Sequence, residues 1–157
     1  MINEMAPELR VPLWLDASGE ERQSLQLADL GTRYKVIFCF QHWCPGCHSH
    51  GFPKLKSMVD KLAAEEFGFA VVQTVFEGSE TNTYERIGEN QLKYALDVPF
   101  GHDVPQQGRR LPSLMEDYQT GGTPWFTIID PDNRIIYSDF HISLDNISSW
   151  VKDRNSR

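Results

Sequence analysis

Residues 41 to 50, QHWCPGCHSH, place two cysteines, three histidines and a tryptophan in ten positions. A C-x-x-C pair can cycle between dithiol and disulfide, C-x-x-C-H is the attachment signature of c-type haem, and clustered Cys and His bind zinc. Each chemistry asks something different of the chain. A redox pair needs a stabilised thiolate next to a resolving thiol. Haem would need His48 as proximal ligand, and its attachment belongs to exported proteins. Zinc would need four ligands, which Cys44 and Cys47 could share with His42, His48 or His50, but no second C-x-x-C or H-x₃₋₅-H lies at finger spacing. The third cysteine, Cys39, lies within an apolar run and reads as a core residue, inert by burial.

Around this cluster the sequence supplies elements that would position it. Tyr34 to Phe40, YKVIFCF, is an almost unbroken apolar and β-branched run, as in a strand buried on both faces. It delivers the chain to Cys44. Leu55, Met58, Val59, Leu62 and Ala63 then recur at helical spacing, predicting an amphipathic helix over residues 48 to 66 that Pro53 kinks or divides. Residues 69 to 76 (FAVVQTVF) read as a second buried strand, and residues 81 to 96 as a less regular helix. Residues 97 to 112, with three prolines and two glycines, read as a loop or short edge strand. Ser113 to Gln119 could form one or two helical turns, ended by Gly121 and Gly122. Trp125 to Asp130 and Arg134 to Phe140, joined by Pro131-Asp132-Asn133, predict a hairpin, and Ser143 caps a closing helix. Near the start, residues 7 to 15 read as irregular or edge strand, and SLQLADLG as a helical turn closed by Gly31. The order β, α, β, α, hairpin, α predicts an α/β fold whose first two buried strands are parallel neighbours with helices on both faces.

At the end of a buried strand and the start of a helix, the unpaired N–H groups and the dipole favour a thiolate on Cys44, and Cys47 one turn later is placed to close a disulfide. Pro45 falls on the first helical position, where its missing N–H costs nothing. Gly46 leaves room for a partner to approach. A passive disulfide across two residues would close too small a loop to constrain the unfolded chain much.

The strand YKVIFCF, then HWCPGC, then TGGTPWFTIIDPDNRII resemble a thioredoxin-fold protein, and in particular the TlpA/ResA-like thiol-disulfide oxidoreductases, redoxins related to the AhpC/TSA proteins. SLQLADLG matches that family's N-terminal extension (about residues 1–30), and the 80 positions from Cys44 to Pro124 match its insertion (about residues 77–119). The resemblance implies a single thioredoxin-like domain over residues 1–157, with a central mixed β-sheet flanked by helices. It implies Cys44 as nucleophile, Cys47 as resolving thiol, and Pro124, after Thr123, as a cis-proline beside the disulfide. Trp43, Pro45, Gly46, Thr123 and Pro124 would then contact substrate. The reaction implied is attack of the Cys44 thiolate on a disulfide and resolution of the mixed disulfide by Cys47. It needs no metal and no cofactor beyond the Cys44–Cys47 pair, and its partners would be a protein or small-molecule disulfide and a thiol reductant.

Three departures from the family pattern stand out. YKVIFCF carries no acid, so proton transfer to Cys47 needs another donor; Glu77 is a candidate, but reads better as a solvated loop residue. Pro53 sits about one residue later, relative to Cys47, than the usual helix proline. Pro45-Gly46 is not thioredoxin's own dipeptide. The alternative within the broader fold is a peroxiredoxin-type peroxidase with Cys44 as the peroxidatic thiol. Peroxiredoxins carry Pro and Thr ahead of that cysteine, where this chain has Ile37 and Gln41. The histidines read as exposed neighbours adding positive charge near Cys44, and Arg109 and Arg110 as solvated.

Composition agrees with a globular domain. The chain has 157 residues, 40% hydrophobic and 24% charged, with net charge −7 and no basic block. Nucleic acid and anionic membranes are therefore not expected partners. The N-terminus has no basic and apolar signal pattern and no run spans a bilayer, so the expected location is cytoplasmic, or periplasmic if a signal was removed.

Overall fold

The computed structural model describes residues 1–155. In chain order the elements are β1 (Leu13–Leu15), β2 (Glu21–Arg22), β3 (Lys35–Phe40), α1 (Phe52–Leu62), β4 (Gly68–Thr74), α2 (Glu85–Lys93), β5 (Phe100–Asp103), α3 (Ser113–Tyr118), β6 (Trp125–Ile129), β7 (Ile135–Asp139) and α4 (Leu144–Asn155). The strands form one mixed sheet in the order β2-β1-β5-β4-β3-β6-β7. β3 runs parallel to β4 and antiparallel to β6, and the latter turns back as β7.

All six residues of β3 are buried because the strand has a core on each side. Side chains alternate across a strand. Val36, Phe38 and Phe40 therefore meet Phe52, Leu55, Met58 and Leu62 of α1 and Ile147 and Val151 of α4. Ile37 and Cys39 meet Leu9, Val11, Trp14, Leu30, Leu114 and Tyr118 on the opposite face. Each large apolar side chain buried this way contributes about 1.5–3 kcal/mol. This double burial fixes the strand whose end carries the dithiol.

The segment expected as a loop or edge strand, residues 97 to 112, instead contains β5, an interior strand. It is paired in parallel with β4 and antiparallel with β1. Its polar residues are satisfied rather than solvated. Gln73 and His102 share a 3.1 Å contact, and Asp103 accepts from the Ser113 hydroxyl (3.1 Å) and the Leu114 N–H (2.8 Å). Gly101 is there because a Cβ would come within 3.0 Å of the Trp14 ring and Val11. The N-terminal segment and the segment after β4 thus meet edge to edge and together supply three of the seven strands.

The expected helix over 48 to 66 is divided. Pro45 and Gly46 are already helical, Cys47–Gly51 form a π turn, α1 follows, and Ala63–Glu65 close it as a 3₁₀ turn. The wide turn closes with the Phe52 N–H on the Cys47 carbonyl. One extra residue is accommodated there, which is the residue by which Pro53 arrives late. α3 ends one step earlier than expected, because Gln119 adopts the left-handed conformation (φ 54°) before the glycine pair is reached. Among the described residues no helix is long and apolar enough to cross a membrane.

Candidate functional site

β3 ends at Phe40, and a turn through Gln41, His42 and Trp43 brings Cys44 to the start of the helix. The turn is closed by the Cys44 N–H on the Gln41 carbonyl, 3.0 Å. The Cys47 N–H then reaches back to Cys44, 3.2 Å from its carbonyl and 3.2 Å from its Sγ. A backbone N–H aimed at a sulfur is the contact an anionic sulfur accepts. The two thiols differ in access: Cys44 is half-buried, whereas Cys47 is fully enclosed. Burial pushes the Cys47 thiol far above the ordinary thiol range, and the hydrogen bond and charge of Cys44 push it the same way. All three cysteines are thiols, and Cys39, on the other face of the sheet, is held protonated by burial.

On one side the pair meets the loop before β6. The Thr123–Pro124 peptide bond is cis. The Thr123 carbonyl lies 3.6 Å from Cys44 Sγ, within reach of a thiol hydrogen bond. A Cβ on Gly46 would sit 3.6 Å from Pro124 Cδ, and one on Gly51 would sit 2.8 Å from Phe38 Cζ and 2.9 Å from Pro124 Cβ. Gly51 is thus the residue that lets the π turn press onto Pro124 and the core. Its one sequence signal was a glycine inside an amphipathic helical pattern.

On the other side the pair is held by carboxamides. Gln73 accepts the His42 N–H (2.9 Å), and Asn82 accepts the Trp43 N–H (3.1 Å). Asn82 also donates to the Glu77 carbonyl (3.0 Å) and to Gln41 Oε1 (3.4 Å), which itself takes the Phe76 N–H (3.2 Å). Gln41, Gln73 and Asn82 are all buried. Gln73 and Asn82 were not among the residues singled out from the sequence, and Gln41 was noted there only as a departure from the peroxiredoxin pattern. A buried amide left without its partner costs about 1–3 kcal/mol, so this network holds the turn in one conformation.

The histidines do not behave as expected. His48 is half-buried and stacked on Tyr94, with Nδ1 2.5 Å from the Tyr94 hydroxyl and Nε2 2.6 Å from the His42 carbonyl. The carbonyl can only accept, so Nε2 carries a proton. His42 Nδ1 meets Asn90 Nδ2 at 3.1 Å, and burial lowers the His42 pKa. Of the three only His50 is an exposed neighbour. Both ring nitrogens of His48 are engaged by the protein, and among the described residues no three His, Cys, Asp or Glu side chains converge as a metal-binding group. Trp43 is exposed and lies over Gly78, whose Cβ would fall 2.5 Å from the ring. Glu77 is an exposed loop residue.

Comparison with known proteins agrees with the fold. Residues 2–138 match the model of the AhpC/TSA family. A crystal structure of a thioredoxin-like superfamily protein is 32% identical, with TM-score 0.80 over 95% of this chain and 94% of that one. A thiol-disulfide isomerase from Corynebacterium glutamicum is 25% identical, with TM-score 0.77 over 94% and 95%. The thioredoxin domain of a thiol-disulfide oxidoreductase from Bacteroides vulgatus shares the fold at 16% identity, with TM-score 0.69 over 98% and 96%. A search of the curated proteins finds no match.

Proposed function

The chain belongs to the AhpC/TSA family, and from that premise and the geometry of its dithiol we propose that it is a thiol-disulfide oxidoreductase acting through Cys44 and Cys47. The Cys44 thiolate attacks one sulfur of a substrate disulfide, the other half leaves as a thiolate, and a mixed disulfide remains on Cys44. Cys47 then loses its proton and displaces the bound half, closing the Cys44–Cys47 disulfide. A thiol reductant returns the pair to the dithiol.

The observation that carries this reading is the unequal pair itself. One sulfur is accessible and receives an N–H at 3.2 Å, and directly behind it a second is fully buried. Two of the influences holding Cys47 protonated are the hydrogen bond and the charge of Cys44. Both disappear once Cys44 is in a mixed disulfide. The departing substrate thiolate, formed in the same step, is a base that can take the proton. Burial, the larger influence on Cys47, remains, but the part of its restraint that comes from Cys44 is lifted only when there is a mixed disulfide to resolve. Trp43 on one flank and Thr123-Pro124 on the other would be the contact surfaces for an extended substrate segment.

The family also covers peroxiredoxins, which gives a second reading. Peroxide would oxidise Cys44 to a sulfenic acid, with Cys47 condensing on it and releasing water. At the position where peroxiredoxins carry a Thr, Gln41 is committed to Phe76 and Asn82, which favours disulfide exchange. The test is a Cys47→Ala variant incubated with an oxidised peptide. Accumulation of a mixed disulfide on Cys44, seen by mass spectrometry, supports the first reading. Peroxide consumption by wild type that outruns disulfide reduction would replace it with the second.

A further inference from the structure

Beside Pro124, on the side away from Trp43, lies a small cleft of about 60 Å³ lined by His50, Gly51, Lys54, Pro124, Phe126, Phe140, His141 and Ile142. Its walls are apolar: Phe126 is core, and the exposed Phe140 packs edge-on against Trp125 with ring centroids 4.7 Å apart. Its titratable groups all carry or can gain positive charge. Lys54 is half-buried, and among the described residues neither Lys54 nor His50 makes a side-chain hydrogen bond or ion pair. The nearest carboxylate along the chain, Asp139, is turned to the Phe140 N–H at 2.6 Å. The opposite flank, beyond Trp43, has the reverse character: a depression around Phe76, Gly78 and Val104 carries Glu77 and Glu80. In a chain of net charge −7, a cationic cleft lined by Pro124, the residue after the Thr123 that Cys44 contacts, is a local exception.

Resting on the oxidoreductase reading above, we propose that this cleft is a specificity subsite taking an acidic side chain next to the cysteine of an extended peptide disulfide, with Lys54 as its charge partner. The volume supports one side chain and not a second strand. The shared walls set the register. Pro124 lines the cleft, packs on Gly46, and follows the carbonyl that touches Cys44 Sγ. A substrate whose sulfur reaches Cys44 must therefore lay its neighbouring residue across Pro124, toward Lys54. A carboxylate there gains attraction at a partly desolvated position, whereas an ammonium there is repelled.

The test uses three peptide disulfides differing only in the residue beside the cysteine, Glu, Gln or Lys, reduced by the full chain with a dithiol as the recycling reductant. Neutral hydroxyethyl disulfide serves as a reference. Wild type should prefer Glu to Lys by roughly five- to tenfold at low salt, with Gln between and the preference shrinking as salt rises. Ratios are compared within each protein, so any change in overall activity cancels. K54Q should flatten the order and K54E should reverse it. Equal rates for the Glu and Lys peptides, or a preference that survives K54E, overturns the subsite while reduction of the reference disulfide leaves the oxidoreductase reading standing. Failure to reduce any of the four disulfides overturns both.

Discussion

Cys39 and Cys47 are equally buried, and both thiols are pushed far up by desolvation. Yet only one of them is placed for chemistry. Cys39 projects from β3 into the face built by the N-terminal segment and α3, where its main charged neighbour is the Asp103 carboxylate. Cys47 faces the other core, and its neighbour is a half-exposed sulfur. Burial alone makes a thiol inert; burial behind a second thiol makes it a reserve. What separates the two is which influences are removable. Substrate can abolish the effect of Cys44 on Cys47 by bonding to it, whereas nothing in the reaction touches Asp103.

The sharpest way to break the comparison is by deletion. Cys44→Ser should lower disulfide reduction by at least roughly a thousandfold, the scale seen when a nucleophile is removed. Cys39→Ala should retain the wild-type rate and lose only about 1–2 kcal/mol of stability through the small cavity left behind. Turnover and urea melts on the same preparations separate the two. If Cys39→Ala lost activity while still folded, the contrast between the thiols would fall.

A weaker perturbation loosens the dithiol without touching either sulfur. Asn82→Ala leaves the Trp43 N–H without its acceptor and removes the donor to the Glu77 carbonyl, at a cost of about 1–3 kcal/mol. The expected result is selective. In the reduced protein, alkylation of Cys47 should accelerate while Cys39 stays protected, because Asn82 ties the turn before Cys44 to the loop at Glu77, and Cys39 packs in the core on the other face of the sheet. Equal acceleration at both cysteines would mean that Asn82 supports the whole sheet instead.

The strand before the dithiol, the closing hairpin and the placement of Cys44 at a helix start were legible in the sequence, because each follows from a short-range rule: continuous apolar character, turn residues, and Pro at the first helical position. The rest depended on contacts remote in sequence. Residues 97 to 112 read as a loop or short edge strand because of their prolines and glycines, and only Trp14, Gln73 and Ser113 make Gly101, His102 and Asp103 part of an interior strand. His48 reads as exposed until Tyr94, 46 positions on, stacks against it. Gly51 and the π turn lay between. The late arrival of Pro53 was visible, but its consequence, a wide turn pressed onto Pro124, needed the two segments side by side.

The smallest effect distinguishes the thiols by their protons. An unfolded thiol titrates near ~8.5, and both buried thiols keep their protons well beyond that in the folded, reduced protein. Above about pH 8.5 the unfolded chain therefore binds fewer protons than the native one, and stability must fall as pH rises. The limiting slope is about 1.4 kcal/mol per pH unit for each such thiol. Below the unfolded value both states hold the proton, and the contribution is fully present and flat. Urea melts of the reduced protein between about pH 8 and 9.5 should lose up to one proton's worth of slope in Cys39→Ala. Oxidation to the Cys44–Cys47 disulfide should remove the contribution of Cys47 and leave that of Cys39. A slope unchanged by Cys39→Ala would mean that Cys39 is not held protonated by its core, and the distinction between an inert thiol and a restrained one would then rest on Cys44 alone.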